Sequence, residues 1–241
     1  MHRSIRHLLM DLSLSMRTNS IYQGTSATLP KPALTQRRIN LAGQPLKLLT
    51  VASPEAYLDQ ISDAANVDED LIPYWGEVWP ATYALASYIA NQQEDFATKK
   101  VLELGCGLGA LSTFLYRLGI PVLATDINVF ALRLTRVNVW RNCRSQAKTA
   151  YLDWRYPRIE DNFERIVAAD VVYEKRAFKG ILNTLRSNIA PGGKALIAEP
   201  CRSVAGSFLP LLHEWGFSVA SQHRGIEIDG KEHNIRIFEI S

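Results

Sequence analysis

Two carboxylates, Glu103 and Asp126, bracket three closely spaced glycines, Gly105, Gly107 and Gly109, in the stretch VLELGCGLGALSTFLYRLGIPVLATDIN at residues 101–128. The order is a short apolar run ending in Glu103, a glycine turn, an amphipathic segment through Leu118, and a second apolar run ending on Asp126. This reads as strand, turn, helix, strand and acid. A turn without Cβ atoms takes positive φ and lets a ligand lie against bare backbone. The helix that follows aims unpaired N–H groups at the same spot. A carboxylate about 20 residues past the turn accepts hydrogen bonds from two ribose hydroxyls. The chemistry predicted is nucleoside binding.

Gly105, Gly107 and Ala110 also fit the dinucleotide pattern that ends in glycine or alanine. A glycine turn that merely joins a strand to a helix explains the glycines, but not Glu103 and Asp126 together. The wider wording, Glu103-Leu-Gly-Cys-Gly-Leu-Gly109 followed by Asp126-Ile-Asn128, resembles the seven-strand, class I S-adenosylmethionine (SAM)-dependent methyltransferases. The resemblance implies a glycine turn beneath the methionine part of SAM and an acid after the second strand that binds its ribose. It places Glu103, Gly105, Cys106, Gly107, Gly109, Asp126, Ile127 and Asn128 at the cofactor, with S-adenosylhomocysteine as product and no metal. In the family an acid near the end of the next strand accepts from the adenine amino group beside an apolar cover, and Asp153 and Trp154 match in order and position.

Two narrower wordings refine this. Tyr74, Trp75 and Trp79 crowd a turn leading into a helix ahead of the first strand of the glycine unit, where they either wall a pocket or cap the sheet edge. Pro73-Tyr-Trp-Gly-Glu-Val-Trp-Pro80 is similar to the motif preceding the domain in the seven-strand protein lysine methyltransferases, especially the branch that includes electron-transfer-flavoprotein β-subunit lysine methyltransferase. That resemblance puts Trp79 beside SAM. Asp170-Val-Val-Tyr173 is similar to the Asp-x-x-Tyr/Phe hallmark of the same enzymes, and Glu174 follows. Asp170, Tyr173 and Glu174 are therefore the expected catalytic group, with Asp170 also at the cofactor. No Asn/Asp-Pro-Pro-Tyr/Phe occurs, which lowers the readings of DNA-base and glutamine methylation. Ala198-Glu-Pro-Cys-Arg202 only partly resembles a Gly-Asp-Pro-Gly-Arg stretch of the flavoprotein branch. The expected substrate pocket comprises Tyr74, Trp75, Tyr173, Glu199 and Arg202.

The elements that must position these residues alternate strand and helix along the chain. The expected fold is α/β: a Rossmann-like seven-strand methyltransferase sheet, mostly parallel with a C-terminal antiparallel hairpin about Asp229-Gly230, and helices on both faces. An N-terminal hairpin around Gly43-Gln44-Pro45 and a helix from Pro54 extend it. Helices are also predicted from Pro80 to Ile89, and over 128–142, 178–189 and 204–215, with a turn at Pro191-Gly192-Gly193. Arg133, Arg136 and Arg141 are expected on a solvated helix face. The domain is read as 38–241, with 38–98 as hairpin and helices and 99–241 as core. Residues 1–37 form a basic extension and linker, in which Ile5, Leu8, Leu9 and Leu12 have helical spacing.

With 241 residues, 47% hydrophobic and 21% charged, the chain suits one α/β domain with an extension. A net charge of +3 is too small to point to nucleic acid, and no apolar run reaches the length of a membrane span. Three cysteines without a CxxC pair suggest neither a disulfide framework nor zinc, and fit reducing, intracellular conditions with a cytoplasmic location. The basic N-terminus reads as a docking extension ahead of an organelle-targeting peptide. The sequence predicts methyl transfer to an amine nitrogen, first a protein lysine. A small-molecule N-methyltransferase, a catalytically silent SAM-fold binding subunit and an NAD-linked oxidoreductase are the other readings.

Overall fold

A computed structural model describes residues 30–64, 72–157 and 159–241. The helix expected over Ile5, Leu8, Leu9 and Leu12, and most of the linker, lie outside the described residues. The first element is a ribbon of β1 (Leu34–Leu41) and β2 (Gln44–Val51), antiparallel, with Leu41 paired to Gln44. Its turn falls on Ala42 and Gly43, at φ 47° and 82°, and not on Gly43-Gln44-Pro45. Positive φ at both central positions is what a two-residue type I′ turn requires, and the Asn40 side chain accepts the Gly43 N–H at 2.8 Å. Pro45 belongs to β2, because a two-stranded ribbon consists of edges, where proline is tolerated.

Helix α1 (Pro54–Ala64) starts on Ser53, whose hydroxyl accepts the Ala56 N–H at 3.2 Å. A 3₁₀ turn over Pro73–Gly76 leads to α2 (Pro80–Ala90), which begins on proline and buries Ala81, Ala84, Leu85 and Ile89. The glycine unit follows as β3 (Val101–Leu104), α3 (Ala110–Arg117) and β4 (Val122–Asp126), succeeded by α4 (Val129–Cys143) and β5 (Lys148–Tyr151). The second half is β6 (Phe163–Ala169), α5 (Lys175–Asn188), β7 (Ile189–Glu199), a 3₁₀ turn over Ser203–Ser207, α6 (Phe208–Glu214), β8 (Val219–Ile228) and β9 (Lys231–Ile240).

The sheet order is β5-β4-β3-β6-β7-β9-β8, parallel from β5 to β7 and antiparallel at β7/β9 and β9/β8. This is the expected mixed seven-strand sheet with its closing hairpin, turned on Asp229 and Gly230 at φ 50° and 76°. Alternation along the strands feeds two cores. Val101, Val167, Leu196 and Ile237 pack toward the ribbon, α2, α3 and α4, whereas Leu102, Ile166, Ile197 and Phe238 pack toward α5 and α6. The chain leaves β3 to one side and returns to β6 on the other, so the carboxyl ends of β3 and β6 frame the crevice where open sheets bind ligands.

Three boundaries differ from expectation. Helix α5 starts at Lys175, ahead of Phe178. Residues 190–193, around the expected Pro-Gly-Gly turn, swell out of β7, whose register against β6 jumps from Phe163↔Ile189 to Arg165↔Lys194. The single helix expected over 204–215 is a 3₁₀ turn followed by α6, because Gly206 and Ser207 are weak helix formers ahead of Pro210 in the first turn.

The ribbon is fastened by asparagine side chains of α4. Buried Asn138 accepts from Leu49 N–H at 2.7 Å and donates to Leu49 C=O at 3.0 Å and Leu108 C=O at 2.8 Å, while Asn142 makes the same paired contact with Lys47. Each amide continues β2 as a strand would. Asn138→Ala strands a backbone donor and two acceptors, and is expected to lower stability by about 2 kcal/mol in urea unfolding. An unchanged midpoint would show that the ribbon is held by its apolar face alone.

Candidate active site

A cavity of about 450 Å³ opens at the carboxyl ends of β3, β4 and β6. It is lined by Tyr74, Trp75, Trp79, Glu103, Gly105, Cys106, Gly107, Asp126, Ile127, Asn128, Asp153, Trp154, Asp170, Tyr173, Glu174 and Arg202. The sequence-predicted residues thus converge there, save Gly109 and Glu199, which are not on its wall.

The floor is the glycine turn. Gly105, at φ 64°, passes so close to the loop after β6 that a Cβ would lie 2.9 Å from Val171 Cγ1. Gly109 serves helix packing: at φ 81° it begins α3, and a Cβ would sit 2.7 Å from Thr135 Cα on α4. Gly109 is not on the cavity wall, whereas its neighbours Leu108 and Ala110 line it.

Two buried carboxyls flank this floor with different electrostatics. Asp126, at the tip of β4, accepts the Gly107 N–H at 2.9 Å on one oxygen and the Asn128 N–H at 2.8 Å on the other. Burial pushes its pKa up to about 6, against the pull of those N–H groups. Glu103 is bonded by the Ser112 hydroxyl; burial, with the charge of Asp126 adding, pushes its pKa up to about 8 while the Ser112 bond opposes. Near pH 7 Glu103 is therefore mostly protonated and Asp126 mostly ionised. Cys106 lies between them, its thiol pushed well up by burial and by both carboxylates, and it is not a nucleophile at neutral pH.

The sign of the Glu103 shift has a consequence for stability. An acid whose folded pKa lies above its unfolded value favours the fold most below the unfolded pKa, near 4.5, and loses that advantage as pH rises to about 8. Glu103→Gln, which keeps an acceptor for Ser112, is expected to flatten the decline in urea midpoint between pH 5 and pH 8. A slope identical to that of the parent protein would show that Glu103 does not titrate in this window.

The rim is built by β6, β7 and the 3₁₀ turn before α2. Asp170, at φ 60° and 7% exposed, holds the Arg202 guanidinium with both oxygens, the second at 3.1 Å. Burial raises the Asp170 pKa and Arg202 opposes the rise. The Arg202 guanidinium also sits 6.0 Å over the Trp79 ring. Glu199, expected in the pocket, instead stands behind it: 1% exposed, it accepts the Arg202 backbone N–H at 3.0 Å and Arg236 Nε–H at 2.7 Å. Burial with two donors makes it the anchor of the loop that carries Arg202.

Tyr173 and Tyr74, both partly exposed, meet edge to face at 5.6 Å, and Tyr74 meets Trp79 at 6.3 Å. The Trp79 indole N–H is fixed by Tyr74 C=O at 2.8 Å. Trp75 serves both the wall and the core: it lines the cavity, stacks on Phe130 at 5.8 Å and 8°, and is 7% exposed. Glu174 precedes α5 and pairs with Arg176, and Asp153 accepts from Arg155 through its backbone and guanidinium N–H groups. Sequence reasoning missed Thr82, Leu152 and Arg155 on the wall. The position of Leu152, between the β5 tip and Asp153, was a usable signal; a first-turn threonine such as Thr82 carries none.

A seven-strand sheet with the cavity at its switch point defines the class I methyltransferase fold. Its likenesses among solved structures include the glycopeptide N-methyltransferase MtfA, at TM-score 0.57 and 16% identity over 67% of this chain and 90% of that one. Another is magnesium protoporphyrin IX methyltransferase from Synechocystis, at TM-score 0.53 and 16% identity over 68% and 85%. Within that class the chain belongs to the lysine methyltransferase family, which matches residues 68–215. Mouse EEF1A lysine methyltransferase 3 is 33% identical over 54% of this chain and 57% of its own length. The electron transfer flavoprotein beta subunit lysine methyltransferase of Danio rerio is 32% identical over 54% and 51%, and its Xenopus laevis counterpart 28% identical over 88% of both chains. The chain thus spans about half the length of the first two relatives.

Proposed function

We propose that the cavity holds SAM and that this chain transfers a methyl group from it to an amine nitrogen, first a lysine side chain of a protein. The observation that carries this reading is the coincidence of a glycine floor, an ionised strand-tip carboxylate and an aromatic rim in one cavity of a lysine methyltransferase family member. The residues present fit the group: Gly105 leaves no room for a side chain, Asp126 offers carboxylate oxygens to a ribose diol, and Asp153 stands at the adjacent strand tip for the adenine amino group. Ile127, Asn128 and Trp154 complete the nucleoside side of the wall.

When bound, SAM supplies a methyl already activated by its sulfonium, so the chain's task is alignment and exclusion of water. Tyr74, Trp79 and Tyr173 form an apolar collar around an aliphatic stem. A lysine amine with a pKa near 10.4 must lose its proton before it attacks. Desolvation by the collar disfavours the ammonium, while the Arg202 charge is compensated by Asp170. Asp170, with both oxygens on Arg202, positions that arginine, and Glu174, a rim carboxylate paired with Arg176, is the candidate to pass the amine proton to solvent.

The test is incubation of purified protein with methyl-tritiated SAM and a cell lysate, followed by acid hydrolysis of the labelled protein. Label in Nε-methyllysine is expected. Label confined to small molecules would move the acceptor outside proteins, and no transfer to any fraction would overturn the activity.

A further inference from the structure

Away from the active site, a second cavity of about 350 Å³ lies against α4, lined by Arg133, Arg136, Trp140, Ser145 and Gln146 together with Val137 and Ala147. Its wall holds no acid. Arg133, Arg136 and Trp140 follow at i, i+3 and i+7, so one helix face presents all three. Arg133 departs from the solvated face expected of it: its Nη1 is sealed from solvent without a hydrogen-bond partner, and so is the Trp140 indole nitrogen. Two sealed donors without acceptors, on residues that line the same cavity, are costly. Neither arginine has a carboxylate partner among the described residues, whereas Arg141 on the same helix bonds the Gln36 side chain. The helix dipole accounts for Arg141 in the last turn of α4, but not for Arg133, one turn from its start.

We infer that this cavity is an anion site that takes a phosphate group, free or as a monoester. Two guanidinium groups supply two positive charges and planar forks, and the indole N–H adds a donor. That set matches a tetrahedral dianion. A single carboxylate would leave one guanidinium unbalanced, and water can accept a bond from Arg133 but cannot balance its charge. The Trp140 ring provides an apolar wall for whatever carries the phosphate. Its lining shares no residue with the nucleoside cavity.

The test is phosphorus-31 NMR titration of the full chain with inorganic phosphate and, separately, phenyl phosphate, at ionic strength held constant with chloride. Saturable line broadening is expected, weakened about tenfold by Arg133→Gln and by Trp140→Phe, the latter removing only the donor while keeping an aromatic ring. Equal affinity for the two probes assigns free phosphate, and tighter phenyl phosphate assigns an aromatic monoester. Circular dichroism establishes that each variant is folded. No broadening beyond that of a chloride-matched control protein, or broadening that persists undiminished in both folded variants, would overturn the site.

Discussion

Asp126→Ala is expected to weaken S-adenosylhomocysteine binding by about 100-fold. Hydrogen bonds to a charged acceptor are worth about 1.5–3 kcal/mol each, so losing the ribose diol contacts costs about 3 kcal/mol even with partial compensation by water. Asp126 also gathers the Gly107 and Asn128 N–H groups, so the same change loosens the floor of the cavity. In the unsubstituted protein the carboxylate is the binding form, with a pKa pushed up to about 6 in the ligand-free state. Affinity should therefore hold above pH 7 and fall below pH 6, and the variant should lose that pH dependence along with the affinity. Calorimetry at pH 5.5 and 7.5 checks both; a loss under threefold would remove Asp126 from the cofactor site.

Asp170→Ala is the second large effect, and it should strike turnover in place of cofactor binding. The substitution frees Arg202 from its Asp170 carboxylate partner and lets the rim over Trp79 relax. With SAM saturating, kcat should drop by at least about 100-fold, in line with misplacement of an acceptor by an ångström. Stability should fall by about 1–3 kcal/mol: alanine tolerates the left-handed φ poorly, and the Arg202 side chain, 34% exposed, recovers part of its solvation. Asp170→Asn suits that φ better and retains one acceptor, so it should lie between. Near-normal turnover in a folded Asp170→Ala protein would show that the clasp is only structural.

The contrast between what was legible and what was not follows sequence separation. Strand, glycine turn, helix and acid from Val101 to Asp126 were readable because each signal is local, as was the Asp229-Gly230 turn with its two positive φ values. The pairing of Asp170 with Arg202, 32 positions apart, depends on β6 and β7 lying side by side, which no local pattern encodes. Glu199 illustrates the same limit. Its place just after a strand pointed to the pocket, but Arg236 on β9 draws the carboxylate inward. Asn138 and Arg133 look like ordinary polar positions of an amphipathic helix until β2 and the α4 cavity are in place. Gly109 was legible as a glycine and illegible as a packing contact, since its neighbour Thr135 comes from the next helix.

The central claim is that the cavity above the glycine turn is a SAM site. Calorimetric titration of the purified full chain with S-adenosylhomocysteine, run beside NADH, tests it most directly. One site of micromolar affinity for S-adenosylhomocysteine and no heat with NADH is the predicted result. Binding of NADH with silence toward S-adenosylhomocysteine would contradict the account, and silence toward both would leave the fold as a scaffold without its cofactor.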